Sequence, residues 1–204
     1  MHIVGIVVFF AVVIFIKLKM PMWKGKYSEK LVNNKIQELP EEYVVFNDLL
    51  FESNGYSTQI DHIVVSPYGV FVIETKGYKG WILGRENGEY WTQTIYKSKH
   101  QFYNPIKQNA GHVRFLHHLL KCSTDILFIP IVVFNNSAEL KVHADNNIVV
   151  NRYNLKRAIL QYRTAVLNQG HSVNVSKNKM AYEVILAYYL HMPLLLAFFS
   201  YFLT

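Results

Sequence analysis

The hydrophobic and polar positions in the first half of the chain follow two periods, one helical and one alternating. The helical spacing extends over residues 27–39 and is ended by Pro40, so it predicts a helix with one buried face. Three strand-like runs follow, at residues 43–51, 58–66 and 70–75. Asn54-Gly55 and Pro67-Tyr68-Gly69 separate these runs and are typical turn sequences, so we expect three antiparallel strands.

The second half of the chain continues the mixed pattern. It predicts a hairpin, a helix, a buried strand and a last helix, at residues 81–96, 104–120, 126–134 and 154–168. Asn104 and Pro105 are the residue types of a helix cap and a first helical turn. Pro130 cannot donate a backbone hydrogen bond, so we expect its strand at a sheet edge or at a bulge. The order of elements predicts an α/β fold, a central mixed β-sheet flanked by helices.

The N-terminal end of the chain differs from the middle in lacking charge. Residues 2–16 carry no formal charge and are followed by four lysines, at positions 17, 19, 24 and 26. Extended to Trp23, this segment reaches the roughly 20 residues that cross a bilayer, and it predicts a transmembrane helix. A cleaved signal peptide is the alternative, but the charged N-terminal region and the cleavage sequence of such peptides are missing. Lysines after the anchor predict that the following domain faces the cytoplasm.

A second uncharged stretch, residues 184–204, is interrupted by His191 and Pro193. A second membrane span, an interfacial segment and a core helix all fit this pattern. We therefore expect a transmembrane anchor, a catalytic-size domain and an apolar C-terminal helix, at residues 1–23, 24–179 and 180–204. The expected location is the cell membrane, which the chain would cross once or twice.

Composition and charge narrow the class of partner. The 204 residues are 51% hydrophobic and 17% charged, which excludes a disordered chain and allows one substantial core. A formal charge of +7 favours an anionic partner, either nucleic acid or an anionic membrane surface. A single cysteine, Cys122, excludes an internal disulfide and a zinc site made of cysteines. The oligomeric state stays undetermined.

The candidate chemistry lies in residues 59–76. Glu74 and Lys76 are two positions apart on a strand, so their side chains project from the same face. The simplest pairing across the turn puts Asp61 opposite Thr75, and a bulge at Gly69 would shift that register. Two adjacent carboxylates repel each other unless a cation lies between them, and carboxylate oxygens suit Mg²⁺ or Mn²⁺. Lys76 would then orient water and offset charge on a phosphate, whereas the structural alternative is a solvated ion pair.

Two segments interleave basic and aromatic residues, 78–81 and 96–103. Lysines can neutralise phosphates while aromatic rings stack on unpaired bases, and a solvated loop is the alternative. The candidate nucleic-acid-binding residues are Lys79, Trp81, Lys97 and Lys99. Surface or partly buried positions are expected for His112, His117 and His118, whose spacing offers no second metal ligand. His62 should point to the sheet face opposite to Asp61.

Several motifs together resemble the nuclease-related domain (NERD) family over residues 24–135. They are Gly25-Lys26-Tyr27-Ser28-Glu29, Gln59-Ile60-Asp61-His62, the run from Gly69 to Gly77, Gly80-Trp81, and Asn104-Pro105 followed by Gln108. The resemblance implies the restriction-endonuclease-like core of the PD-(D/E)xK superfamily, with a central mixed sheet and a divalent metal. It implies Glu29, Asp61 and Glu74 as metal ligands, Lys76 as the catalytic lysine and Gln108 as a polar residue facing the site.

The expected function is therefore a membrane-anchored nuclease that hydrolyses phosphodiester bonds with Mg²⁺ or Mn²⁺. DNA is favoured over RNA as the substrate by analogy with the superfamily alone. The alternatives are a catalytically inactive nucleic-acid-binding module and a membrane-surface scaffold with the same fold.

Overall fold

The structure is a computed structural model that describes residues 2–53, 55–119 and 126–168. The elements in these ranges are α1 (His2–Ile36), β1 (Val44–Ser53), β2 (Tyr56–Ser66), β3 (Gly69–Lys76), β4 (Gly80–Arg85), β5 (Tyr90–Ile95), β6 (Ser98–Tyr103), α2 (Pro105–Leu119), β7 (Phe128–Phe134), β8 (Ala138–His143), β9 (Ile148–Asn151) and α3 (Arg152–Asn168). The predicted α/β class is confirmed. The helices and strands predicted between residues 27 and 168 are also confirmed, with ends that differ by at most three residues, apart from the start of α1.

The strands form two mixed sheets, whereas the sequence predicted one. In the described residues, the main sheet has the order β1-β2-β3-β7-β9, and the second sheet has the order β6-β5-β4-β8. In the main sheet β1, β2 and β3 are antiparallel, and β3, β7 and β9 run parallel. In the second sheet β4 pairs antiparallel with β5 and parallel with β8. Helices flank the main sheet, as predicted.

Three apolar clusters hold these layers together. On one face of the main sheet, α1 and α3 pack against a cluster that includes Phe71. On the other face, α2 covers a cluster that includes Ile63 and Val72. The third cluster joins the two sheets, and in it the Trp91 ring stacks on Phe134 with centroids 6.1 Å apart. The second sheet therefore has one face buried against the main sheet.

The start of α2 is fixed by Asn104, which is fully buried. Its Oδ1 accepts a hydrogen bond from the Ile106 amide at 2.9 Å, which confirms the predicted helix cap. Its Nδ2 donates to the carbonyl groups of Glu86 at 2.8 Å and Gly88 at 2.7 Å. One side chain therefore joins the β4–β5 turn to the first turn of α2 and fixes where the helix begins.

The position of Pro130 contradicts the predicted sheet edge or bulge. Its strand, β7, lies inside the main sheet between β3 and β9. The pairing of β7 with β9 begins only at Ile131, so none of the described residues is a ladder partner on that side of Pro130. A proline is tolerated at this interior strand because the neighbouring strand is short.

The N-terminal helix extends further than predicted. It runs without a break from His2 to Ile36, across the predicted boundary at residue 23 and into the helix expected at 27–39. Among the residues that the structure describes, no helix combines the length and apolarity that crossing a bilayer requires, so the predicted transmembrane helix is not supported. The predicted C-terminal helix at 180–204 lies outside the described residues.

Candidate active site

The turn between β2 and β3 sets the register of the candidate site. Ser66 pairs with Gly69, and the ladder continues to His62 opposite Ile73. One further step in this register puts Asp61 opposite Glu74, so the predicted pairing with Thr75 is wrong by one residue. The Ser66 hydroxyl stabilises the tight turn, since it accepts from the Tyr68 amide and donates to the Gly69 carbonyl, both at 3.1 Å.

A glycine is required at position 69 for this register. Gly69 has φ +140°, and a Cβ on it would lie 2.9 Å from the Leu127 carbonyl oxygen. The close approach lets β3 begin immediately after the turn, where the Val70 amide donates to the carbonyl of Leu127, the residue before β7.

The alternation of the strands brings the predicted acidic and basic residues to one face. Asp61 is two positions from Ile63, and Glu74 is two positions from Val72, both of which pack under α2. Asp61, Glu74 and Lys76 therefore share the α2 side of the main sheet. His62 lies on the opposite face, as predicted, where its Nδ1 is 2.8 Å from Asn47 Oδ1.

Glu74 is the centre of a buried polar network. One carboxylate oxygen lies 2.8 Å from Lys76 Nζ, and the other lies 3.1 Å from His112 Nε2. Lys76 also donates to Gln108 Oε1 at 2.9 Å, and His112 Nδ1 lies 2.8 Å from the Thr58 hydroxyl. Burial alone would raise the pKa of Glu74, but the hydrogen bond from His112 and the charge of Lys76 outweigh it and lower that pKa. Glu74 is therefore ionised.

The surroundings of Asp61 shift its pKa in the opposite direction from that of Glu74. Burial and the negative charge of Glu74 raise its pKa to about 8, against the hydrogen bond that its Oδ2 accepts from the Thr75 amide at 2.7 Å. Without a further cation, Asp61 therefore holds a proton at neutral pH beside an ionised glutamate. A divalent ion between the two carboxylates would remove this penalty.

The donor set at this position fits Mg²⁺ or Mn²⁺ better than zinc. In the described part of the chain, no three His, Cys, Asp or Glu side chains are grouped closely enough to hold a metal ion. Mg²⁺ needs only one or two carboxylates, because it keeps several waters and also binds substrate phosphates. Asp61 and Glu74 could supply that pair.

Glu29 on α1 lies near the two strand carboxylates. Burial raises its pKa, and so do the charges of Asp48 and Glu74, while Lys26 opposes them. The charge of Glu29 in turn raises the pKa of Asp61. The structure thus places Glu29 within electrostatic reach of the site, and its role as a third ligand stays a prediction.

A groove opens beside Lys76, between α1 and the second sheet. It encloses about 780 Å³ and is lined by Lys24, Lys76 and Lys79 together with Tyr27 and Tyr78. A smaller cavity of about 410 Å³ shares Lys79 with this groove and extends to Trp81. The side chains of Lys97 and Lys99 are exposed, Lys97 at the β5–β6 turn and Lys99 on β6. Of the predicted binding residues, two therefore line cavities next to the site.

His112 is a site residue that the sequence pattern did not identify. It was expected at a surface or partly buried position with His117 and His118, but it is buried against Glu74. Its spacing from Gln108 was an available signal, because residues four apart lie on one helix face. If Gln108 faces the site, His112 lies one turn later on the same face of the helix and should face the sheet as well.

Two comparisons with known proteins bear on this site. The nuclease-related domain family matches residues 24–135, a range that contains all the site residues described above. The chain is also 38% identical over 152 residues to an uncharacterized protein of Bacillus anthracis. That alignment covers 72% of this chain and 71% of the other.

Proposed function

Because the chain belongs to the nuclease-related domain (NERD) family, of the PD-(D/E)xK kind, we propose that it hydrolyses phosphodiester bonds of nucleic acid with a divalent metal ion. The observation on which this proposal rests is the pair of the half-buried Asp61 and the buried Glu74, with Lys76 beside it. Two carboxyl groups on neighbouring strands repel each other when both are ionised, so by themselves they stabilise neither the fold nor a bound phosphate. They are useful together with a cation.

Each residue of the network has a proposed role. Asp61 and Glu74 would hold Mg²⁺ or Mn²⁺, which supplies Lewis-acid polarisation of the scissile phosphate when bound. The Lys76 ammonium group would stabilise negative charge that develops on the phosphate oxygens. Gln108 accepts a hydrogen bond from Lys76 and so keeps the ammonium group at the site, and His112 orients the Glu74 carboxylate. DNA is the substrate that we favour over RNA.

One feature favours a second candidate, a nucleic-acid-binding module without hydrolysis. Both oxygens of Glu74 already have protein partners, so a metal ion would have to share them with Lys76 and His112. In that case the positive groove would bind nucleic acid and the network would only hold β3 and α2 together.

A cleavage assay on the full chain separates these two candidates. Single-stranded and double-stranded DNA and RNA are incubated with Mg²⁺, Mn²⁺ or EDTA, and Asp61→Asn purified in parallel controls for contaminating nucleases. We expect products with Mg²⁺ or Mn²⁺, none with EDTA, and none from the variant. Binding without any product under every metal condition would contradict hydrolysis and favour the binding module.

We also propose attachment to a cell membrane, with the nuclease domain facing the cytoplasm. The uncharged run at 2–16 supports it, and so do the exposed side chains of Phe9, Phe10 and Phe15, which are 63%, 59% and 55% exposed. We expect the full chain to float with anionic lipid vesicles in a density gradient, and Phe10→Asp with Phe15→Asp to abolish flotation. A full chain that stays at the bottom of the gradient would contradict attachment.

A further inference from the structure

The outer face of the second sheet is unusually aromatic. Ile82, Trp91 and Phe102 point inward to the cluster between the sheets. The alternate positions point outward, and three of them are large aromatic residues, Trp81 at 50% exposure, Tyr90 at 56% and Tyr103 at 47%. Tyr90 and Tyr103 are register partners with ring centroids 6.2 Å apart. We call the outward-facing positions of β4, β5, β6 and β8 the aromatic face.

The aromatic face also has an excess of positive charge. Its outward positions include Arg85 on β4, Lys99 on β6 and Lys141 on β8. Glu139 is the one carboxylate at the outward positions of these four described strands, and Lys141 lies 3.3 Å from it. Arg85 and Lys99 have no ion-pair partner among the described residues. An exposed surface that combines such cations with apolar rings is complementary to a polyanion that carries flat apolar groups.

The aromatic face is continuous with the candidate active site. The smaller cavity is lined by Lys79, Trp81 and Tyr96. Lys79 also lines the larger groove, which contains Lys76. A ligand that lies on the aromatic face could therefore extend through the two cavities to the catalytic lysine.

We propose that the aromatic face binds an unpaired nucleic-acid strand and leads it to Lys76. Bases of the strand stack on Trp81, Tyr90 and Tyr103, and its phosphates contact the neighbouring cations. A duplex is excluded as the main ligand, because its bases stack on each other and offer no free ring face to a side chain. This inference rests on the proposed function and specifies its substrate as single-stranded.

The Trp81 ring shows how such stacking would begin. Lys141 Nζ lies 3.8 Å from the ring centroid, so a cation already covers one face of the indole. The ring is nevertheless half exposed. A base can stack on the free part of the ring, while Lys141, ion-paired with Glu139, stays on the other face.

Binding is tested in EDTA, where cleavage does not interfere. Fluorescence anisotropy compares labelled single-stranded DNA, single-stranded RNA and a DNA duplex of the same sequence over a salt series. We expect a single strand to bind at least tenfold more tightly than the duplex. Tyr90→Ala and Tyr103→Ala should each weaken single-strand binding about tenfold. Lys99→Gln should weaken it and lower its salt dependence.

Matched controls lie on α3, away from the aromatic face. Tyr153 is 77% exposed, and the side chain of Lys156 is 36% exposed. Tyr153→Ala and Lys156→Gln should leave binding unchanged. Binding of the duplex that is equal to or tighter than that of the single strand would overturn the inference. Single-strand binding that is unchanged by both tyrosine substitutions would also overturn it. So would a protein that binds anionic vesicles through Lys99 and does not bind the oligonucleotides.

The outcomes of this test and of the cleavage assay are distinguishable. Single-strand binding that depends on Tyr90 and Tyr103, without metal-dependent products, would contradict hydrolysis and leave the binding surface intact. Metal-dependent cleavage of duplexes by a protein that tolerates both substitutions would support hydrolysis and overturn the aromatic face as the substrate site.

Discussion

Asp61→Asn should abolish metal-dependent cleavage, by about a thousandfold or more, and at the same time raise the melting temperature of the metal-free protein at pH 8. The loss of activity follows from removing one of the two carboxylates that would hold the metal. The gain in stability follows because burial and the negative charge of Glu74 make the ionised form of Asp61 costly in the folded state, and asparagine carries no charge. Asparagine keeps an oxygen that can accept from the Thr75 amide, so the local structure is preserved.

The pH dependence of this effect has a definite sign. The pKa of Asp61 is raised in the fold from 3.8 to about 8, so the folded state binds more protons than the unfolded state between these values. The stability contribution is fully present below about pH 4 and is lost as the pH rises through 8. Asp61→Asn removes this loss, which is on the order of a few kcal/mol. We expect the variant to melt roughly 5 °C or more above the wild type at pH 8, with a difference that shrinks toward pH 4.

Thermal unfolding in EDTA and in Mg²⁺ measures both parts of the prediction. Mg²⁺ should raise the melting temperature of the wild type, because it binds the folded state, and should leave Asp61→Asn nearly unchanged. Asp145→Asn, which changes an exposed carboxylate in the β8–β9 connection, is the control and should behave like the wild type. A variant less stable than the wild type at pH 8 in EDTA, or equally stabilised by Mg²⁺, would contradict the paired-carboxylate site.

The main sheet could be predicted from sequence because its signals are local. The segments of β2 and β3 next to the turn, residues 63–65 and 70–73, are continuous apolar runs, and Pro67-Tyr68-Gly69 specifies a turn between them. The second sheet is different, since its β8 strand pairs in parallel with β4 more than 50 residues earlier, and no local signal specifies such a pairing. β9 has only four residues, too few for an alternating pattern to be distinguished from a loop.

The site shows the same division between local and long-range information. The spacing of Glu74 and Lys76 fixed their common face, and their ion pair at 2.8 Å confirms it. The predicted strand partner of Asp61 was wrong by one residue, because the register depends on whether the turn contains two residues or more. The contact of His112 with Glu74 joins residues from a helix and a strand, and its geometry depends on how α2 packs on the main sheet.

Lys76→Met should lower the rate of cleavage about a thousandfold while leaving the stabilisation by Mg²⁺ in place. Methionine keeps the apolar part of the side chain and removes the ammonium group that lies between Glu74 and Gln108. A preorganised positive charge next to the reacting phosphate is typically worth about 3 to 4 kcal/mol in the transition state. Mg²⁺ binding should persist or improve, because the competing cation on the Glu74 carboxylate is gone.

The matched control is the same substitution at Lys35, whose Nζ forms an ion pair at 2.7 Å with Glu38 near the end of α1. Lys35→Met should retain full activity, which would show that losing one lysine charge is not enough to stop cleavage.

Lys76→Arg should remain strongly impaired, because the planar guanidinium group does not reproduce the position of a compact ammonium between two acceptors. Cleavage rates at saturating Mg²⁺ and melting temperatures with and without Mg²⁺ are measured for all three variants. Normal cleavage by Lys76→Met would remove Lys76 from the catalytic machinery, and a loss of stabilisation by Mg²⁺ would make it a structural support of the metal site instead.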